Sequence, residues 1–115
     1  MYFYKDLYVS PRIHNAGGVI RKLRREDRQL TVYVLTIEPD TGQVSFMHAM
    51  NLRQKYYRDR PPFIIGIAQG YTDAMELVRK IIEETYSHTG DVNVRAYLFP
   101  HGIRMADKEG RKVTL

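Results

Sequence analysis

The chain has 115 residues, of which 43% are hydrophobic and 27% are charged, and its formal net charge is +5. Length and composition favour a single domain spanning residues 1–115 and argue against disorder. The absence of cysteine excludes disulfides, cysteine-ligated zinc and thiol chemistry. We expect a cytoplasmic location and no membrane span, because no apolar run approaches the roughly 20 residues that a membrane helix needs.

The first half of the chain predicts three strands and one short helix. Aromatic and β-branched residues at 2–9 indicate a strand, and a weak apolar stripe at 19–27 favours a short helix. Residues 30–38 and 43–50 have the pattern of two further strands on either side of a strong turn signal, Pro39-Asp40-Thr41-Gly42. We therefore expect a β-hairpin in which Gly42 has a positive φ.

The second half predicts a strand, a long helix and a last strand. Pro61-Pro62 closes a polar, basic connection at 51–62, and the continuous apolar run at 63–69 is typical of a central strand. Residues 92–99 alternate as a strand, which we expect to run parallel to 63–69 after a right-handed crossover. Residues 100–115 form either a terminal hairpin or a frayed tail.

The helix between these strands is the clearest in the chain and covers residues 72–87. Thr72 or Asp73 can cap its start, and Gly90 can end it. Its apolar residues recur at helical spacing, so we expect this face to be buried against the strands. The face is formed by Ala74, Val78, Ile81, Ile82 and Thr85.

The order β-(α)-β-β-β-α-β predicts an α+β fold. We expect a mixed sheet of about five strands with the long helix packed on one face. The short helix, where it forms, is expected on the same face.

Two basic segments, residues 21–28 and 53–60, carry the excess of positive charge. Cations in such segments can neutralise phosphates, and adjacent tyrosines can stack on unpaired bases. The alternative, which the sequence favours, is that both segments are solvated polar surface. The candidate contacts to nucleic acid or another anion are Arg21, Lys22, Arg24, Arg25, Arg53, Lys55, Tyr56, Tyr57, Arg58 and Arg60.

The remaining polar motifs favour structural roles. The glycines between 66 and 73 match neither a dinucleotide-binding nor a P-loop pattern, so close packing explains them better than anion binding. The four histidines lack metal-ligand spacing, and a site formed by His88, Asp91 and His101 is a minor alternative. We assign no catalytic residue, no metal ligand and no cofactor.

Three classes of function follow from these observations. The favoured one is a non-catalytic interaction module that self-associates or docks on a protein partner, because tyrosines are frequent on the strands and no catalytic constellation is present. The alternative is a nucleic-acid-binding domain that uses segments 21–28 and 53–60. An enzyme is the least favoured class. Convergence of the two basic segments on one surface would favour nucleic-acid binding.

Overall fold

The computed structural model describes residues 1–25, 31–106 and 112–114. The strands within these residues are β1 (Tyr2–Val9), β2 (Val32–Ile37), β3 (Val44–His48), β4 (Phe63–Gln69), β5 (Arg104–Ala106) and β6 (Lys112–Thr114). The α-helices are α1 (Ala16–Arg24), α2 (Lys55–Asp59), α3 (Tyr71–Thr89) and α4 (Val94–Leu98), and a 3₁₀ turn at Ala49–Arg53 leads into α2. None of the helices in the described ranges is long and apolar enough to cross a bilayer.

The strands form one mixed sheet in the order β3-β2-β4-β1-β5-β6. β1 and β4 are parallel, whereas the other neighbouring pairs are antiparallel. The predicted α+β class with a mixed sheet and a long packed helix is therefore confirmed. The sheet has four longer strands, close to the number expected, and a terminal pair of three-residue strands, β5 and β6. Those two form the terminal hairpin, one of the two alternatives expected for residues 100–115, and the residues that join them, 107–111, lie outside the described residues.

The predicted strand at 92–99 is wrong. The chain forms the short helix α4 there, and the Asn93 side chain caps it by accepting a hydrogen bond from the backbone N–H of Ala96 at 3.1 Å. Val94 and Leu98 are one helical turn apart, so both face the core from the helix and pack on it. Alternating residues of a strand would also share one face, which is why the pattern fits both structures. Consequently β4 takes β1 as its parallel partner, and not residues 92–99.

Two hydrophobic clusters cover opposite faces of the sheet. Leu35 and Ile37 of β2 face α3, whose Ala74, Leu77 and Ile81 are buried against them. Alternation along β2 points Val32 and Val34 to the other face, where Leu23 of α1 packs. The short helix therefore does not share a face with α3, contrary to expectation. The central strand β4 contributes to both clusters, as its continuous apolar run predicted.

The long helix α3 confirms the prediction for 72–87 and extends it at both ends. Gly90 ends it in the left-handed region, with φ of 75°. Ile81 is fully buried, but Ile82 is 36% exposed, so the expectation that both isoleucines are buried is wrong for Ile82. The apolar face of α3 is wider than the strip that the sheet covers.

Candidate functional site

Arginines from the two basic segments meet at one end of the sheet. Arg24, the last residue of α1, and Arg58 of α2 line the same small cavity of about 230 Å³, together with Tyr57. The rest of its lining is Met1, Leu52, Pro61 and Pro62. No carboxylate is among these residues, so the cavity is an electropositive pocket that suits an anion.

The position of Arg24 follows from the helix that carries it. Leu23 is buried against the sheet, which brings the end of α1 close to β1. The guanidinium of the neighbouring Arg24 lies 5.3 Å from the centre of the Phe3 ring. Its Nε atom is buried and has no hydrogen-bond partner among the described residues. A buried N–H without a partner is costly, typically by about 1–3 kcal/mol.

A larger groove of about 580 Å³ lies on the other side of Tyr57, Pro61 and Pro62, which line both spaces. Its volume is in the range of ligand-binding clefts. Aromatic rings from three elements line it: Tyr2 of β1, Phe63 of β4, and Tyr56 and Tyr57 of α2. The Tyr2 and Phe63 rings stack with centroids 4.9 Å apart, so part of the wall is a preformed aromatic surface.

The aromatic groove also carries charge. The Arg60 guanidinium lies 5.0 Å from the centre of the Tyr56 ring, and Tyr56 is 55% exposed. Glu38 lines the groove at its far side, where it accepts a hydrogen bond from the backbone of Asp40 at 3.1 Å. Phosphate would therefore favour the arginine cavity, whereas flat uncharged rings fit the groove.

The other predicted contact residues surround this centre without lining it. Arg21 and Lys22 are exposed on α1 and Arg25 follows its end, while Arg53 and Lys55 are exposed on either side of the start of α2. The predicted connection at 51–62 is thus partly helical. Residues 26–28 of the first basic segment lie outside the described residues. The sequence analysis identified the arginines and the tyrosine pair but missed Tyr2, Phe63 and Phe3. These three residues lie in runs that predict strands, and nothing in such a run indicates a ligand-binding surface.

A second polar centre closes the carboxyl ends of β1 and β4. Helices that leave two adjacent parallel strands towards opposite faces open a crevice where α/β proteins bind ligands. Here Ser10 donates to the carboxylate of Asp73, and the backbone N–H of Gln69 donates to the same oxygen at 2.8 Å. The Ser10 and Asp73 side chains are buried and hydrogen-bonded to each other, so they fill this crevice and have a structural role. Gly66 packs closely as expected, since a Cβ there would lie 3.2 Å from the carbonyl oxygen of Tyr8.

Three tyrosines surround Glu84 on the α3 side of the sheet. Tyr8 and Tyr97 donate hydrogen bonds to Glu84 Oε2, at 2.5 and 3.1 Å, and Tyr4 lies nearby. Burial and the hydrogen bond to Glu84 raise the pKa of Tyr8 well above its ordinary value. A tyrosine held in its protonated form is a hydrogen-bond donor and not a nucleophile, so this cluster supports packing.

The described residues contain no group of three histidine, aspartate or glutamate side chains that could hold a metal ion. Comparison of the chain with protein-family models, with curated proteins and with solved structures found no match.

Proposed function

We propose that the protein binds single-stranded nucleic acid across the surface formed by α1, α2 and the amino-terminal ends of β1 and β4. The observation that carries this proposal is the shared cavity of Arg24 and Arg58. These residues come from basic segments that are far apart in sequence, and two guanidinium groups at one cavity are suited to bidentate recognition of phosphate.

The neighbouring groove supports a single strand over a duplex. Base–aromatic stacking requires unpaired bases, and Tyr56 offers an exposed ring beside Arg60. A strand that crosses the ridge of Tyr57, Pro61 and Pro62 would leave a phosphate at the arginine cavity and a base in the aromatic groove. Exposed Arg53 and Lys55 extend the positive surface along the path of the backbone.

The arrangement offers less support for catalysis. Among the described residues that line the two spaces, Glu38 is the one carboxylate, and no histidine, serine–base pair or carboxylate pair accompanies it. Ser45 lines the groove, but its hydroxyl shares a hydrogen bond of 3.1 Å with Thr36, which is not a base.

The test is a titration of labelled single-stranded DNA and RNA of about 16 nucleotides, the upper end of common site sizes, over a range of salt concentrations. Arg58→Gln should weaken binding and reduce the slope of log K against log salt by about 0.7, the value for one phosphate contact on a single strand. Tyr56→Leu should cost about 1–3 kcal/mol of binding free energy and leave the slope unchanged, because stacking releases no counterion.

Arg79→Gln is the matched control, since it removes one positive charge from an exposed position on α3. Equal weakening by Arg79→Gln and Arg58→Gln would mean that binding follows net charge, and the proposed surface would then be wrong. Affinity no tighter than about 10⁻⁴ M near physiological salt would also overturn the proposal. Selective binding of a duplex would overturn the stacking role of Tyr56.

A further inference from the structure

The aromatic groove of about 580 Å³ carries one charged group of each sign. Glu38 lines it from the β2–β3 turn, and Arg60 lines it from the end of α2. The other side chains that line the groove, among the residues that the structure describes, are uncharged. A carboxylate repels phosphate, so the part of a bound strand that lies next to Glu38 is a base and not the backbone. Glu38 therefore bears on which base the groove accepts.

The carboxylate of Glu38 is held in place by the turn. The backbone N–H and carbonyl of Glu38 are hydrogen-bonded within the turn at 2.9 and 2.7 Å, and its Oε1 accepts from the backbone N–H of Asp40 at 3.1 Å. Arg95 ties the turn to α4, since its guanidinium donates to the carbonyls of Pro39 and Asp40 at 2.8 and 2.7 Å. Within the described ranges, Oε2 of Glu38 has no hydrogen-bond or ion-pair partner. A carboxylate fixed in this way is a preorganised acceptor for a ligand.

We propose that the groove recognises guanine in a bound strand, an inference that rests on the proposed function. An ionised carboxylate only accepts hydrogen bonds, and its two oxygens offer about four acceptor positions, of which the N–H of Asp40 occupies one. The Watson–Crick edge of guanine presents two neighbouring donors, N1–H and the N2 amino group, which match the two oxygens. On adenine, cytosine and uracil the donor of that edge stands beside an acceptor, which Glu38 would repel.

The positive charge in the groove complements the adjoining edge of the same base. Arginine commonly donates two hydrogen bonds to O6 and N7 of guanine, and Arg60 is the arginine that lines the groove. Adenine carries an amino group in place of O6, so it offers an arginine a single acceptor there. Tyr56, whose ring centre lies 5.0 Å from the Arg60 guanidinium, is 55% exposed and provides a surface for stacking. The groove thus combines an acceptor, a donor and an aromatic surface that all suit guanine.

The first test compares short strands that differ in one base. Oligouridines of about eight nucleotides, within the range of common site sizes, carry uridine, guanosine, adenosine, cytidine or inosine at the centre. We expect the guanosine strand to bind roughly 5-fold to 150-fold more tightly than the all-uridine strand, the range for one bidentate base contact. Inosine lacks the N2 amino group and should lose part of this preference. Equal affinity of all five strands, or tightest binding of the adenosine or cytidine strand, would overturn guanine recognition and leave the proposed function intact.

The second test removes the carboxylate. Glu38→Gln keeps a side-chain oxygen that can accept from the N–H of Asp40, so the turn is preserved, and the preference for guanosine should fall by at least about 5-fold. Asp40→Asn is the matched control, because it removes the same charge two residues away and Asp40 is not among the described residues that line the groove. It should keep the full preference. An equal fall in both variants would mean that the preference follows net charge, and guanine recognition by Glu38 would then be wrong.

Calorimetry with free guanosine, adenosine, cytidine and uridine monophosphates distinguishes failure of guanine recognition from failure of strand binding. If no strand binds more tightly than about 10⁻⁴ M, the proposed function is wrong. A preference for guanosine monophosphate that Glu38→Gln removes would still support the groove as a guanine site. The same affinity for all four nucleotides would overturn it.

Discussion

Ser10, the residue that follows β1, donates a hydrogen bond to the buried carboxylate of Asp73 in the first turn of α3. The contact joins the end of one central strand to the start of the helix that follows the other. The carboxylate also lies where the amino-terminal end of α3 favours negative charge. Asp73 thus fixes where α3 begins relative to the sheet, although no side chain caps the helix in the usual way.

Removing this carboxylate should destabilise the fold. Asp73→Ala leaves the Ser10 hydroxyl and the Gln69 N–H buried or partly buried without their acceptor, so we expect a loss of about 2–3 kcal/mol in the free energy of unfolding. Thr72→Ala, at the exposed neighbouring position, should change it by less than about 0.5 kcal/mol. Urea denaturation measures both, and equal midpoints for Asp73→Ala and wild type would contradict the assigned role.

The tyrosines around Glu84 predict a pH dependence on the alkaline side. Because the folded pKa of Tyr8 is raised above its ordinary value of 10.0, its contribution to stability is complete below pH 10. It is lost as the pH rises further, since the unfolded chain releases that proton first. Tyr8 alone contributes a slope of at most about 1.4 kcal/mol per pH unit, because it releases a single proton.

The measurement compares unfolding free energies of wild type and Tyr8→Phe between pH 8 and about 11. Tyr8→Phe should be less stable by about 1–2 kcal/mol at neutral pH and should lose less stability above pH 10. Tyr86→Phe, on the exposed face of α3, should follow the wild-type curve. Parallel curves for Tyr8→Phe and wild type would argue against the hydrogen bond to Glu84.

Adjacent isoleucines on α3 should respond very differently to truncation. Ile81 is fully buried in the cluster beneath α3, so Ile81→Ala should cost about 2–5 kcal/mol by loss of burial and creation of a cavity. Ile82 is 36% exposed, and Ile82→Ala should cost less than about 1 kcal/mol. Thermal or urea unfolding gives the comparison, and similar losses would mean that α3 is rotated from its described position.

Two glycine substitutions should change the stability of the fold in opposite directions. Gly42 has φ of 76° in the β2–β3 turn, and a Cβ there would approach that of Arg95 to 3.2 Å, so Gly42→Val should destabilise by about 1 kcal/mol or more. A Cβ on Gly17, in the first turn of α1, would make only an ordinary contact with Asn15 Oδ1 at 4.0 Å, so Gly17→Ala should stabilise by about 0.5–1 kcal/mol. Melting temperatures that move in the same direction would contradict the turn geometry.

Local patterns in the sequence correctly predicted those helices and strands that were indicated by more than one independent feature. The β2–β3 hairpin had a turn signal between two extended runs, and α3 had an apolar face of more than four turns. Residues 92–99 were mispredicted because their short alternation also places Val94 and Leu98 on one side of a helix. The deciding contribution was the cap at Asn93, which a pattern of apolar residues does not report.

The candidate site could be predicted only as separate pieces. Sequence identified the basic segments and the pair Tyr56-Tyr57, but their meeting depends on α1 and α2 packing on the same face of the sheet. That packing rests on Leu23 and Leu52, which are ordinary core residues in sequence. The contribution of Phe63 and Tyr2 arises from the parallel pairing of β4 with β1, a long-range choice that local patterns leave open.

The parallel pairing of β1 with β4 constrains the order in which the molecule can assemble. Tyr2 pairs with Phe63, whereas Ile37 pairs with Val44 across a short turn. Closing the loop between β1 and β4 costs more entropy than closing the β2–β3 turn. The β2–β3 hairpin can therefore form early, and β1 pairs with β4 later. At synthesis rates of about 5–20 residues per second, β1 leaves the ribosome roughly 3–12 seconds before its partner. During that interval an aromatic strand is without its sheet, and the nascent chain is then most exposed to wrong pairing.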